Sequence, residues 1–188
     1  LQQRNGTMHK PETDAADNKA PNPSAQPTQK PHVLVVDDSR LIRVSIKKVI
    51  GAEFNVIEAG DGEEGWEKLL ADKDVQLILT DAGMPKLDGF ELIERIRQSD
   101  DQRIAKTPII MITGAEAAET HVKQKAMSAG ATDFVTKPFD KTQLVARVRG
   151  YVKANQTQRN LAEQSAVDPL TKARNHRYLL HRGEQELA

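Results

Sequence analysis

Five residues with reactive or charged side chains close four separate apolar runs. Asp37 and Asp38 follow Val33-Leu34-Val35-Val36, and Asp81 follows Leu77-Ile78-Leu79-Thr80. Thr113 follows Ile109-Ile110-Met111-Ile112, and Lys137, itself followed by Pro138, closes Asp133-Phe134-Val135-Thr136. If the runs are neighbouring strands, these ends meet. Three gathered carboxylates repel one another, and their pKa values rise unless a cation joins them. Magnesium suits that role, because it prefers oxygen ligands, keeps several waters and bridges carboxylates to phosphate. Lys137 would add a compact positive charge for a phosphoryl oxygen, and Thr113 a hydroxyl donor. No Gly-rich phosphate cradle accompanies them, so the set does not read as a nucleotide site. It suits phosphoryl transfer onto a carboxylate, with one aspartate as nucleophile.

Each feature alone has an ordinary structural explanation. Asp-Asp-Ser before a helix can be only a cap. Thr113-Gly114 can be a turn, and Lys137-Pro138 a solvated lysine beside a rigid bend. The weight lies in the combination: four signals in order, each at the end of an apolar run, with helical patterns between them.

Those patterns supply the scaffold. Val33–Val36 is continuously apolar, as expected of a strand covered on both faces. Ser39 is placed to cap a first helix, whose apolar face is Leu41, Ile42, Ile46, Val49 and Ile50. Phe54–Ala59 reads as a short strand. Gly60-Asp61-Gly62 reads as a turn, and Trp66, Leu69 and Leu70 mark a second helix. Val75–Thr80 is the third strand. Asp88-Gly89 leads to a third helix marked by Leu92, Ile93 and Ile96. Ile109–Ile112 is the fourth strand, and Val122, Ala126 and Met127 mark a fourth helix ended by Gly130. Ala131–Thr136 is the fifth strand, and Leu144, Val145, Val148 and Val152 begin the last helix. This alternation predicts an α/β fold: a doubly wound, five-stranded parallel sheet with helices on both faces. Ligands of such sheets sit beyond the carboxyl ends of the strands, where all the singled-out residues fall.

The flanks differ in texture. Residues 1–31 hold Pro11, Pro21, Pro23, Pro27 and Pro31 with no periodic apolar residues. Such a segment buries too little apolar surface to offset its ordering entropy, and a flexible tail is expected. Met8 is a candidate natural start, with residues 1–7 an added remnant. Beyond Val152 the helical pattern turns polar. Its heptad seam would run Leu144, Val148, Tyr151, Asn155, Gln158, Ala162 and Ser165, which is weak for a coiled coil. A solvated connecting helix is the favoured reading.

The 188 residues carry 27 basic and 27 acidic side chains for a formal net charge of +0, which gives no bulk electrostatic drive toward nucleic acid. With no cysteine there is no disulfide framework and no thiolate-held zinc, in keeping with a cytoplasmic protein. No apolar run approaches the ~18 residues that suggest a membrane span, so no membrane insertion is expected.

Residues from about His32 to Lys153 resemble the receiver domain of bacterial two-component response regulators. The likeness rests on Val35-Val36-Asp37-Asp38-Ser39, Leu79-Thr80-Asp81 with Met84-Pro85 and Asp88-Gly89, Ile112-Thr113-Gly114, and Gly130-Ala131-Thr132-Asp133-Phe134-Val135-Thr136-Lys137-Pro138-Phe139. It implies a flavodoxin-like sheet of order 2-1-3-4-5, and Asp81 as acceptor of a phosphoryl group from a sensor histidine kinase. It also implies magnesium bound by Asp38, Asp81 and the Gly83 carbonyl, with Asp37 acting through a metal-bound water. Lys137 would pair with the phosphoryl oxygens, and Thr113 and Phe134 would form a switch pair. The fourth helix, fifth strand and fifth helix would be the output face, with Lys123, Lys125, Asp133 and Arg147 available for intermolecular ion pairs in a phosphorylation-dependent homodimer. Gly83 and Ala115 depart from the family pattern at positions that tune phosphoaspartate hydrolysis.

A second resemblance begins at Asp168-Pro169-Leu170-Thr171 and continues through Asn175-His176-Arg177-Tyr178-Leu179-Leu180. It is similar to the opening of a GGDEF diguanylate cyclase domain, with Lys172-Ala173 in place of Gly-Leu and His176 in place of Arg. The Gly-Gly-Asp-Glu-Phe motif itself is absent. The expected organisation is a tail over 1–31, a receiver over 32–153, a connecting helix over 154–167 and the start of a cyclase domain over 168–188. Three alternatives stand beside it. One is a stand-alone docking module without enzymatic output. Another is an aspartate-dependent phosphatase, which usually carries Asp-x-Asp after its first strand rather than adjacent acids. The third is a flavin or dinucleotide binder, disfavoured by acids where a phosphate would sit.

Overall fold

The computed structural model describes residues 30–114 and 120–165. The five strands are β1 (His32–Val36), β2 (Asn55–Ala59), β3 (Val75–Asp81), β4 (Ile109–Gly114) and β5 (Asp133–Lys137). All neighbours are parallel, in the order β2-β1-β3-β4-β5. The helices are α1 (Arg40–Ile50), α2 (Gly62–Ala71), α3 (Gly89–Arg97), α4 (Gln102–Ala105), α5 (Thr120–Ala129) and α6 (Lys141–Ser165).

Alternate residues of each strand feed opposite faces of the sheet. Val33, Val35, Leu77, Leu79, Ile110 and Ile112 pack against Ile46 and Ile50 of α1 and Leu144, Val148 and Val152 of α6. Leu34, Val36, Ile78 and Met111 pack against Leu69 of α2, Leu92, Ile93 and Ile96 of α3, and Ala126 of α5. Two buried faces explain the continuous apolar runs. After β2 the chain crosses to the other side of β1 to form β3, so the crevice lies between the carboxyl ends of β1 and β3.

Several local expectations are revised. Ser39 occupies the N-cap of α1 but makes no side-chain cap bond. Asp37 Oδ1 instead accepts from the Ser39 amide at 2.9 Å. Phe54 is a buried residue of the turn before β2, not part of the strand. The short α4 was not foreseen, since four residues are too few to show a period. Helix α6 runs unbroken to Ser165, and its polar stretch is not simply solvated. Asn155 is buried, and its Nδ2 donates to the main-chain carbonyl of Gln76 at 2.9 Å and to its side-chain Oε1 at 3.1 Å. Arg159 donates to the Val75 carbonyl at 2.8 Å.

Candidate functional site

Strand β1 ends at Val36, and the chain turns at once into α1. That turn is held from both sides. The Asp37 amide donates to the Ala59 carbonyl at 3.1 Å, and Arg43 Nη1 donates to the Asp37 carbonyl at 2.6 Å. The Asp37 side chain is thereby turned inward, only 2% exposed. Strand β3 delivers Asp81 beside it, and β5 delivers Lys137 from two strands away. Lys137 Nζ joins them, 2.7 Å from Asp37 Oδ2 and 2.7 Å from Asp81 Oδ1.

Burial pushes the Asp37 carboxyl above its ordinary value, against the pull of Lys137 and the Ser39 amide. Burial alone would lower Lys137, but its hydrogen bonds to Asp37 and Asp81 outweigh that and raise it. One ammonium therefore holds two carboxylates that would otherwise repel each other.

Of the expected residues, Asp37, Asp81 and Lys137 come into direct contact. Thr113 lies near the end of β4, buried and in register with Thr136 of β5. Among the described residues no hydrogen bond links it to the trio. Phe134, in register with Met111, packs half-buried against the core beneath α3 and α5. Asp38 is exposed, and no group of three His, Asp or Glu side chains among the described residues is gathered closely enough to hold a metal. Of the three expected carboxylates, Asp37 and Asp81 share the Lys137 ammonium, and the neighbouring Asp38 is exposed. Gly83 is exposed, with nothing within 4 Å of where a Cβ would stand. Ala115 lies outside the described residues, as do positions 1–29 and 166–188, including the stretch from Asp168 to Leu180.

The loop from Asp81 to α3 is tightly built. A Cβ on Gly89 would fall 1.9 Å from the Asp81 carbonyl oxygen, so glycine is required there. Asp88 caps α3 with a reciprocal box: its side chain accepts from the Glu91 amide, and Glu91 accepts from the Asp88 amide. Lys86, at φ 66, reaches Asp61. Arg43, Asp61 and Lys86 all brace the site loops and were not singled out from sequence. Asp61-Gly62 gave a signal only as a turn. A lysine or arginine bound for a loop carbonyl or a distant carboxylate has no local pattern.

On the expected output face, Asp133 and Arg147 pair with each other within the chain rather than being left for a partner. The Lys125 ammonium lies 4.1 Å from the Phe90 ring centroid.

A doubly wound parallel sheet with two carboxylates and a lysine at its switch point defines a class of phosphoryl-accepting α/β modules. This chain belongs to the response regulator receiver domain family, whose model matches residues 33–149. Chemotaxis protein CheY1 of Helicobacter pylori is 41% identical over 110 residues, 57% of this chain and 85% of that protein. Chemotaxis protein CheY4 of Vibrio cholerae has a similar structure, with TM-score 0.58, 30% identity, and coverage of 64% of this chain and 97% of that one. A structure described as a two-component system response regulator/GGDEF domain protein matches with TM-score 0.60 and 29% identity, over 68% of this chain and 51% of that one. As a receiver, the chain is phosphorylated on an aspartate by a cognate histidine kinase.

The family is typically magnesium-dependent. The donor set fits that ion: the Asp81 carboxylate, the exposed Asp38 carboxylate and an open main-chain position at Gly83 offer hard oxygens, and Asp37 beside Asp81 can accept from a bound water. No helix among the described residues is long and apolar enough to cross a membrane.

Proposed function

We propose that Asp81 is the phosphoacceptor, and that the chain controls a C-terminal diguanylate cyclase output. The observation that carries the site assignment is the bridge from Lys137 to both Asp37 and Asp81 at the crevice between β1 and β3. A carboxylate oxygen of Asp81 attacks the phosphorus of a phosphohistidine. The P–N bond breaks, and its electron pair returns to the imidazole nitrogen. Asp38, Asp81 and the Gly83 carbonyl would hold magnesium, with Asp37 acting through water, and the ion would supply neutralisation of the phosphoryl charge. Lys137 passes from the Asp81 oxygen it now holds to a phosphoryl oxygen. Thr113 donates its hydroxyl to the same group, and Phe134 follows inward. The shift between the two states is limited to the difference in how well these donors bind them.

The output assignment rests on Asp168-Pro169-Leu170-Thr171 and Asn175-His176-Arg177, and is supported by the likeness to a response regulator that carries a GGDEF domain. In this reading residues 154–167 connect receiver to cyclase, and phosphorylation brings two copies together. A docking module without enzymatic output is the second reading, favoured by the 85% of CheY1 that the chain covers. Formation of cyclic di-GMP from GTP by the parent reading frame separates the two.

The site is tested by intact mass after acetyl phosphate treatment, with magnesium or with chelator. One added phosphoryl group is expected on the wild type with magnesium, and none on Asp81→Asn. An Asp81→Asn chain that gains the same mass would overturn the assignment.

A further inference from the structure

The loop between Asp81 and α3 is closed at its ends by the Gly89 amide donating to the Ala82 carbonyl at 3.0 Å and by the Asp88–Glu91 box, and Met84 within it is buried. Its apex has a different anchor. Lys86 adopts the left-handed conformation at φ 66, which is unfavourable for a residue with a Cβ. Its ammonium lies 2.5 Å from Asp61 Oδ2. Asp61 is no ordinary surface acid: its side chain is 12% exposed, and Oδ1 accepts from the Glu64 amide at 2.9 Å to cap α2. The Glu64 amide and then Lys86 hold the Asp61 carboxyl below its ordinary value, so it is ionised at neutral pH. Beside it, a Cβ on Gly62 would fall 2.3 Å from the Leu87 carbonyl oxygen. The loop thus sits directly on the N-terminus of α2, and one charged pair holds its strained residue there.

We propose that Asp61 and Lys86 are positioning residues that set the shape of the Asp81–Gly89 loop, and through it the affinity of the phosphoryl site for magnesium. This rests on the site reading above, in which Asp81 and the Gly83 carbonyl hold the ion. Lys86 is three residues beyond Gly83, so its placement governs where that carbonyl stands. The Lys86 side chain is 66% exposed, and such a pair adds little to global stability. Its effect is local.

Charge and position have opposite consequences here, which makes the inference testable. Removing the Lys86 cation alone strengthens attraction for a divalent cation, whereas releasing the loop weakens it. The experiment is calorimetric titration of the unphosphorylated chain with magnesium chloride, for wild type, Lys86→Met, Lys86→Arg and Asp81→Asn, with thermal melting in chelator as the folding control. Lys86→Met is expected to bind magnesium roughly tenfold more weakly, as for other residues that orient metal ligands. Lys86→Arg should restore most of the loss, and melting should change little. Equal or tighter binding by Lys86→Met overturns the inference. Asp81→Asn separates the two levels. If it loses magnesium binding while Lys86→Met does not, only the positioning role fails. If it binds as well as wild type, the site reading fails and the inference with it.

Discussion

The two ends of the sheet solve opposite electrostatic problems. At the carboxyl ends, two aspartates face each other across a single lysine, and the buried one is held above its ordinary pKa. At the amino ends, cations and amides meet neutral main-chain carbonyls. Arg97 donates to the carbonyls of Ala105 at 2.8 Å, Thr107 at 2.9 Å and Gly130 at 2.9 Å. Asn155 and Arg159 do the same for Gln76 and Val75. The carbonyls named here each gain a donor, and the cations meet dipoles rather than carboxylates. One end gives up stability to hold charge ready for a ligand; the other ties the helices to the sheet.

Arg97→Ala breaks that contrast with the largest effect. Burial pushes the guanidinium below its usual range, and the three carbonyls lose their donor when it is removed. The expected loss is about 3 kcal/mol, read as a lower urea midpoint, with Asp81 still phosphorylated in the folded fraction. A loss well under ~1 kcal/mol would mean that the amino end is not a clamp.

Asp37→Asn sharpens the contrast with a smaller effect of opposite sign. Because burial raises the Asp37 carboxyl, the folded chain holds that proton more tightly than the unfolded chain. This contribution is complete below the ordinary value of 3.8 and is lost as pH rises through the folded value. Above it the ionised carboxylate costs stability. The asparagine can still accept from the Ser39 amide, and Lys137 keeps Asp81. The variant should be more stable than wild type by about 1 kcal/mol at neutral pH, and the gain should vanish below 3.8. Urea titrations across that range check both the sign and the window.

The carboxyl end was far more legible in the sequence than the amino end. Apolar runs ending in Asp37, Asp81, Thr113 and Lys137 place those residues at adjacent strand ends, because a parallel sheet buried on both faces leaves its polar residues at the edges of the runs. That Asp37 is buried while Asp38 is exposed was not legible, since it depends on where the chain turns into α1. The clamps at the other end left no pattern either. Arg97 was not singled out and Asn155 stood only as a polar seam position, because their partners include main-chain carbonyls, which every residue carries. Asn155 even counted against a packed helix in the heptad seam, yet it is buried against Gln76.

The central claim is that the charged end of the sheet accepts a phosphoryl group on Asp81. It is tested most directly by trapping the acyl phosphate with borohydride, which reduces a phosphorylated aspartate to homoserine, and mapping the product by peptide mass. Homoserine at position 81 alone is the expected result. Homoserine at 37 or 38, or its absence from a chain that has gained a phosphoryl group, would contradict the account.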